Sequence, residues 1–296
     1  MNDGNSQESV ARGGRVGIRT LAVSEATKFR SIRSTWISLA IIVVAGIGFS
    51  ALFSFLIGRS WTGSSQLEHA QFDPVRISQS GIFISQFVAG ILGALIVTSE
   101  YSTGTIRATL AAAPRRLSVV GAKVIVISAA LLVVTEVTAF IAFFVGRSVL
   151  INYGGTVVPP GASLIERIAR HALPVVNISS PGVARAVFLG GLYLVLVSLL
   201  GLGFGLLLRH TTGTIALYVV ILLIVPLLAQ LLPQGISSHI VPYLPSNLGL
   251  AMTTVGSRST DFAGQLLSTG AATFTLALYA IAAVGIGATA MIRRDA

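Results

Sequence analysis

Apolar and polar stretches alternate along the chain in long blocks. After Gly17 the apolar residues Leu21, Ala22, Ala26, Phe29, Ile32 and Trp36 recur at helical spacing, with Glu25, Lys28, Arg30 and Arg33 on the other side. The pattern predicts a basic amphipathic helix over 18–36 that lies in a membrane interface. Six apolar blocks follow, at about 37–57, 77–99, 124–145, 186–208, 214–232 and 271–292. About 20 apolar residues cross a ~30 Å hydrocarbon layer as a helix, and helices satisfy their own backbone groups there. The fold class expected is therefore an all-α polytopic membrane protein with six transmembrane helices. Residues 1–17, rich in Gly, Ser, Asn and Arg without periodicity, are expected to be a disordered tail, leaving 18–296 as one transmembrane domain.

The polar interludes carry further expectations. Between blocks two and three, Glu100, Gly104 and Arg107 sit at i, i+4 and i+7, one face of a helix, with Ile106 and Leu110 on another. Gly104 leaves that polar face low, and Pro114 ends the helix. Ser163 and Glu166 read as a capping box opening a short helix. Ser180-Pro181 reads as a cap and first-turn proline leading into block four. From Pro233 to Gly270 the apolar fragments are too short to cross, which predicts short helices in the outer leaflet. Gly201, Gly203 and Gly205 lie inside an apolar block and let helices approach.

Composition agrees with the pattern. The chain of 296 residues is 53% hydrophobic and 10% charged, against about 25% charged in soluble domains. Its net charge of +10 is spread over loops without interleaved aromatics, which points to topology and lipid contact, not to nucleic acid. With the N-terminus in the cytoplasm, the outer segments hold Arg59, Arg76, Arg147, Arg167, Arg170, Arg185 and Arg258, leaving thirteen of the 20 Lys and Arg inside. Both termini and the 98–123 bridge are then cytoplasmic. There is no cysteine, and no G-x-x-x-x-G-K-[ST] or H-E-x-x-H. The four histidines stand singly, so no metal site is expected.

Glu136 is the one acid deep inside an apolar block. An acid there is costly and faces a bundle interior or a wet path. It reads either as a contact for a cationic or polar substrate or a proton-linked switch, or as a protonated packing residue bonded near Thr135 or Thr138. Gln86 and Gln230 are further candidates to line an interior.

The bridge resembles that of type-2 exporter permeases of ATP-binding-cassette transporters: Glu100, Gly104-Thr105, Leu110, Pro114-Arg115-Arg116 and a closing Lys123. Ser24 to Arg30 before Trp36 is similar to the family's entry helix, and Leu244-Pro245-Ser246-Asn247 to its segment between spans five and six. The resemblance implies a permease that pairs with a second copy or paralogue and docks one ABC-type ATPase subunit per copy, two per complex. ATP and Mg would be bound by that ATPase, with no cofactor and no catalysis in this chain. The bridge would be a cytoplasmic coupling helix, and Glu25, Lys28, Glu100, Gly104, Thr105, Arg107, Arg115 and Arg116 the coupling residues. The substrate path would involve Ser85, Gln86, Phe87, Glu136 and Gln230. The implied role is export of a hydrophobic or amphipathic substrate across the plasma membrane. Rival readings are a proton-coupled secondary transporter using Glu136, and a structural or immunity-type membrane protein that binds a partner without transport.

Overall fold

The computed structural model describes residues 17–65, 72–106, 116–157, 173–255, 259–260 and 264–294. Arg107, Leu110, Pro114, Arg115 and the Ser163/Glu166 capping box lie outside them. Six helical segments are long and apolar enough to cross a membrane.

Helix α1 (Ile18–Ser31) lies ahead of the first span and ends sooner than the periodicity suggested. Ile32 is extended (φ −88°, ψ 119°), and α2 (Arg33–Ser60) starts one residue later. Trp36 therefore belongs to the first span, and its indole Nε1 donates back to the Arg30 carbonyl at 2.8 Å, closing the corner.

The second span also shifts. Asp73 caps a short α3 (Pro74–Ser78), its Oδ1 accepting the amides of Val75 and Arg76 at 2.9 and 3.2 Å, with Pro74 in the first turn. A turn follows, and Gly81 packs so tightly on α2 that a Cβ there would lie 1.9 Å from the Gly46 carbonyl oxygen. Helix α4 (Ile82–Ser102) thus starts about five residues later than expected and runs past Glu100.

The third span, α5 (Arg116–Asn152), has 37 residues and is about 55 Å long at 1.5 Å per residue. Lys123 and Arg147 are inside this helix, not in loops. Beyond it, Thr156–Val157 and Pro174–Val175 form a two-stranded parallel pair, β1 and β2.

Helix α6 (Val183–Leu208) is the axis of the bundle. It packs against α4, α5 and later helices, and 72% of its most apolar stretch is buried. Ser180-Pro181 does not cap it. These residues form a turn that ends at Gly182, whose φ of 85° breaks any helical run before Val183. The glycines of α6 set its spacing, as their positions suggested. A Cβ at Gly201 would lie 2.0 Å from the Gly90 oxygen of α4.

Span five is composite: α7 (Thr211–Val219), a π-helical turn (Val220–Ile224) and α8 (Val225–Ala229). Pro226 has no N–H to give the preceding turn, and the wider turn accommodates it. Short helices α9 (Gln234–Ile240) and α10 (Pro245–Thr253) follow, as the pattern predicted, then strands β3 (Ser259–Thr260) and β4 (Gly264–Gln265). Helix α11 (Thr269–Arg294) is the sixth span. Arg116 Nη1 donates to the Ile292 carbonyl at 3.0 Å, so α11 ends at the same end of the bundle where α5 starts.

Candidate coupling site

Four charged side chains from three helices close a ring at that end. Lys123 Nζ on α5 lies 2.6 Å from Glu25 Oε2 on α1 and 2.7 Å from Glu100 Oε1 on α4. Lys28 Nζ on α1 lies 3.0 Å from Glu25 Oε1 and 3.1 Å from Glu100 Oε1. The side chains of Lys123, Glu25 and Glu100 are 3, 8 and 11% exposed, and Lys28, at 37%, is the most open to water. Two acids alternate with two bases, so the ring is neutral.

Burial alone would lower the Lys28 pKa, but its hydrogen bonds to Glu25 and the attraction of Glu100 and Glu25 outweigh it and hold the amine above its usual 10.5. Ionic hydrogen bonds in such a setting fix geometry more than they add stability, since desolvation offsets much of the attraction. Phe29, Ile32, Thr35, Ile96, Val126 and Ile127 wall a small cleft beside the ring.

Local periodicity explains each position. Glu25 stands four residues after Leu21 and four before Phe29, on the inward side of α1, and is the one buried residue of that helix. The expectation that Glu25 lies on the side of α1 opposite Leu21 and Phe29 is corrected: it is buried on their side, and Lys28, half-buried, joins it in the ring. Lys123 stands between Val119 and Ile127 on a buried stripe of α5. In the bridge pattern Lys123 is the closing residue, yet it lies inside a helix. The i±4 spacing to apolar neighbours was the signal that both residues turn inward.

The bridge begins directly below the ring. Gly104 adopts φ 71°, which ends α4, so the helix that carries Glu100 does not continue through Gly104 as expected. A Cβ at Gly104 would meet nothing within 4 Å among the described residues, so backbone conformation, not close packing against them, accounts for the glycine. Thr105 is bound to the end of α4: its hydroxyl is 2.9 Å from that of Thr103, which bonds the Ser99 carbonyl at 2.8 Å. Where the chain re-enters the described residues, Arg116 ties α5 to α11. The Arg209 guanidinium lies 5.1 Å from the centre of the Tyr101 ring, joining α4 to the end of α6.

The residues expected along a substrate path are not gathered. Ser85 Oγ donates to the Ile42 carbonyl of α2 at 3.1 Å. Gln86 bonds three ways: Nε2 to the Phe83 carbonyl, Oε1 from the Tyr193 hydroxyl, and its own carbonyl from the Tyr218 hydroxyl at 2.8 Å. Phe87 packs edge-on to Phe83, with ring centres 5.9 Å apart, and Gln230 is exposed at the end of α8. Glu136 sits against Gly191 of α6. Thr135 and Thr138 do not bond it; their hydroxyls donate to the Leu131, Gly191 and Val134 carbonyls.

A family model described as "ABC-2 family transporter protein" matches residues 21–180. The chain belongs to the ABC-2 transporter family. The matched region holds all four residues of the ring and both borders of the bridge. No curated protein sequence matches the chain. Membership and the six apolar helices make it a multi-pass membrane permease of an ABC transporter, a family that works with an ABC-type ATPase.

Proposed function

We propose that this permease is the membrane-spanning subunit of an ATP-driven exporter, with no catalysis of its own. It pairs with a second copy or a paralogue, and each copy docks one ATPase subunit, which binds ATP and Mg. The bridge at 104–116 and α1 face the cytoplasm and take up the ATPase motion. The observation that carries this reading is the buried ring of Glu25, Lys28, Glu100 and Lys123. It fastens α1 to the ends of the two spans that the bridge connects. A displacement of the bridge or of α1 is then delivered to α4 and α5 together, because separating them would strand buried charges. Direction is set by the bridge binding closed and open ATPase pairs with different affinity. The apolar bundle suits a hydrophobic or amphipathic substrate, and the excess of Lys and Arg at the ring end supports a plasma-membrane protein with both termini in the cytoplasm.

The test is tagged purification in mild detergent after cross-linking, with mass spectrometry of the partners. A stoichiometric ABC ATPase is expected with the wild type and lost with Arg107→Glu. No ATPase under several detergents would remove the main support. Transport that instead follows a pH gradient without ATP and is lost in Glu136→Gln would select a proton-coupled carrier, a reading favoured by the Glu136 carboxyl, which has no hydrogen-bond partner among the described residues.

A further inference from the structure

The bundle holds a second polar locus, in the membrane-spanning part of α5 and remote from the ring. Neither oxygen of Glu136 has a hydrogen-bond partner among the described residues, and both are shielded from water. They are pressed into a notch on α6, where a Cβ at Gly191 would lie 2.6 Å from the carboxyl carbon. The neighbouring Gly190 faces a second unsatisfied group. A Cβ there would lie 2.9 Å from Gln79 Oε1, and Gln79, 3% exposed, has neither amide atom bonded. Adjacent helical residues differ by about 1.5 Å in height, so the acid and the amide meet α6 at one level.

Among the described residues no cation lies within ion-pair distance of this carboxyl. Of the three on α5, Arg116 bonds the Ile292 carbonyl at the ring end and Lys123 is in the ring, about 20 Å along the helix. Arg147, about 16 Å the other way, binds the Val176 carbonyl at 3.1 Å and Asn177 Oδ1 at 2.6 Å. An ionised acid in lipid needs a partner. The Glu136 stem is partly exposed; Val133 and Phe140, three before and four after it on α5, and Phe188, three before Gly191 on α6, share its side, and Val133 and Phe188 are exposed. The seam thus offers a charge-seeking centre flanked by apolar side chains, with the Glu136 stem on its open side.

We propose that Glu136, with Gln79 at the Gly190–Gly191 notch, binds the head of a lipophilic ammonium compound along the α5–α6 seam. The carboxylate takes the charge, Gln79 Oε1 accepts an N–H, and the apolar side chains take the tail. That the bound amine is cargo rests on the permease reading. The binding itself does not, and its test needs no ATPase, so the two fail separately.

The full chain in phosphatidylcholine nanodiscs is treated with dicyclohexylcarbodiimide, which captures protonated carboxyls in apolar surroundings, and Glu136 modification is read by mass spectrometry. Dodecylammonium is expected to protect Glu136 and dodecanol is not. Gly191→Ala, which drives a methyl onto the carboxyl, and Gln79→Leu are each expected to raise the protecting concentration about tenfold, the scale of one charge-assisted hydrogen bond. Equal modification with and without dodecylammonium would show a protonated packing residue and overturn the proposal. Equal protection by dodecanol would show an apolar groove only and overturn it as well. Absence of modification, with dodecylammonium retention unchanged in Glu136→Gln, would also overturn it.

Discussion

Lys123 Nζ and Glu25 Oε2 are 2.6 Å apart although 98 positions separate them in the chain. The contact ties a helix that precedes the spans to the interior of the third span. It also decides which substitutions are informative at the proposed coupling site.

Removing one partner of a buried ion pair leaves the other uncompensated, which costs about 3–5 kcal/mol. Lys123→Met should therefore lower the thermal stability of the purified permease strongly. The double variant Glu25→Gln, Lys123→Gln should cost less than the two single changes added. Strict additivity in the melting data would mean that the pair is not coupled.

Gly104 needs a left-handed backbone but has free space around it among the described residues. Gly104→Ala should cost about 1–2 kcal/mol through the backbone alone, and Gly104→Asn less. If this turn sets the angle of the bridge, ATPase recovery should fall in the same order. Equal recovery with all three residues would separate the turn from docking.

Gly201 and Gly90 bring α6 and α4 into backbone contact. Gly201→Ala should push the helices apart at a cost of about 1–3 kcal/mol. Gly285→Ala should be nearly silent, because nothing lies within 4 Å of that position. Similar melting points for the two variants would contradict the packing described.

Asp73 caps α3 at the end of the bundle away from the ring. Burial pushes its carboxyl above the usual 3.8, against the lowering effect of its amide partners. A raised carboxyl favours the fold when protonated. That contribution is complete below 3.8 and fades as pH rises through the folded value. Asp73→Asn keeps an acceptor for the Val75 and Arg76 amides and has no charge to bury. Its stability advantage over the wild type should be near zero in acid and grow toward neutral pH. An advantage that did not change with pH would mean that Asp73 does not titrate in this range.

Much of the architecture was legible because a bilayer demands long apolar helices. Six blocks of sufficient length, an amphipathic lead-in and short helices before the last span all follow from that demand. Boundaries were less legible where a polar residue turns inward. Glu100 and Lys123 looked like the two ends of a loop, yet each continues a helix, because each finds opposite charge inside the bundle. The Gln86 side chain looked available for a path but is taken up by Tyr193 and Phe83, contacts that no local spacing announces.

By itself, then, the amino-acid sequence determined the number of spans, their helical nature and the resemblance of the bridge, since each depends on runs of neighbouring residues. Tertiary structure alone decided that Glu25, Lys28, Glu100 and Lys123 form one closed ring and that Glu136 and Gln79 meet α6 at adjacent glycines. Periodicity tells which way a side chain points from its own helix. Which charge it meets depends on how three separate helices pack, and that is settled by glycine contacts and buried volume far from the charges themselves.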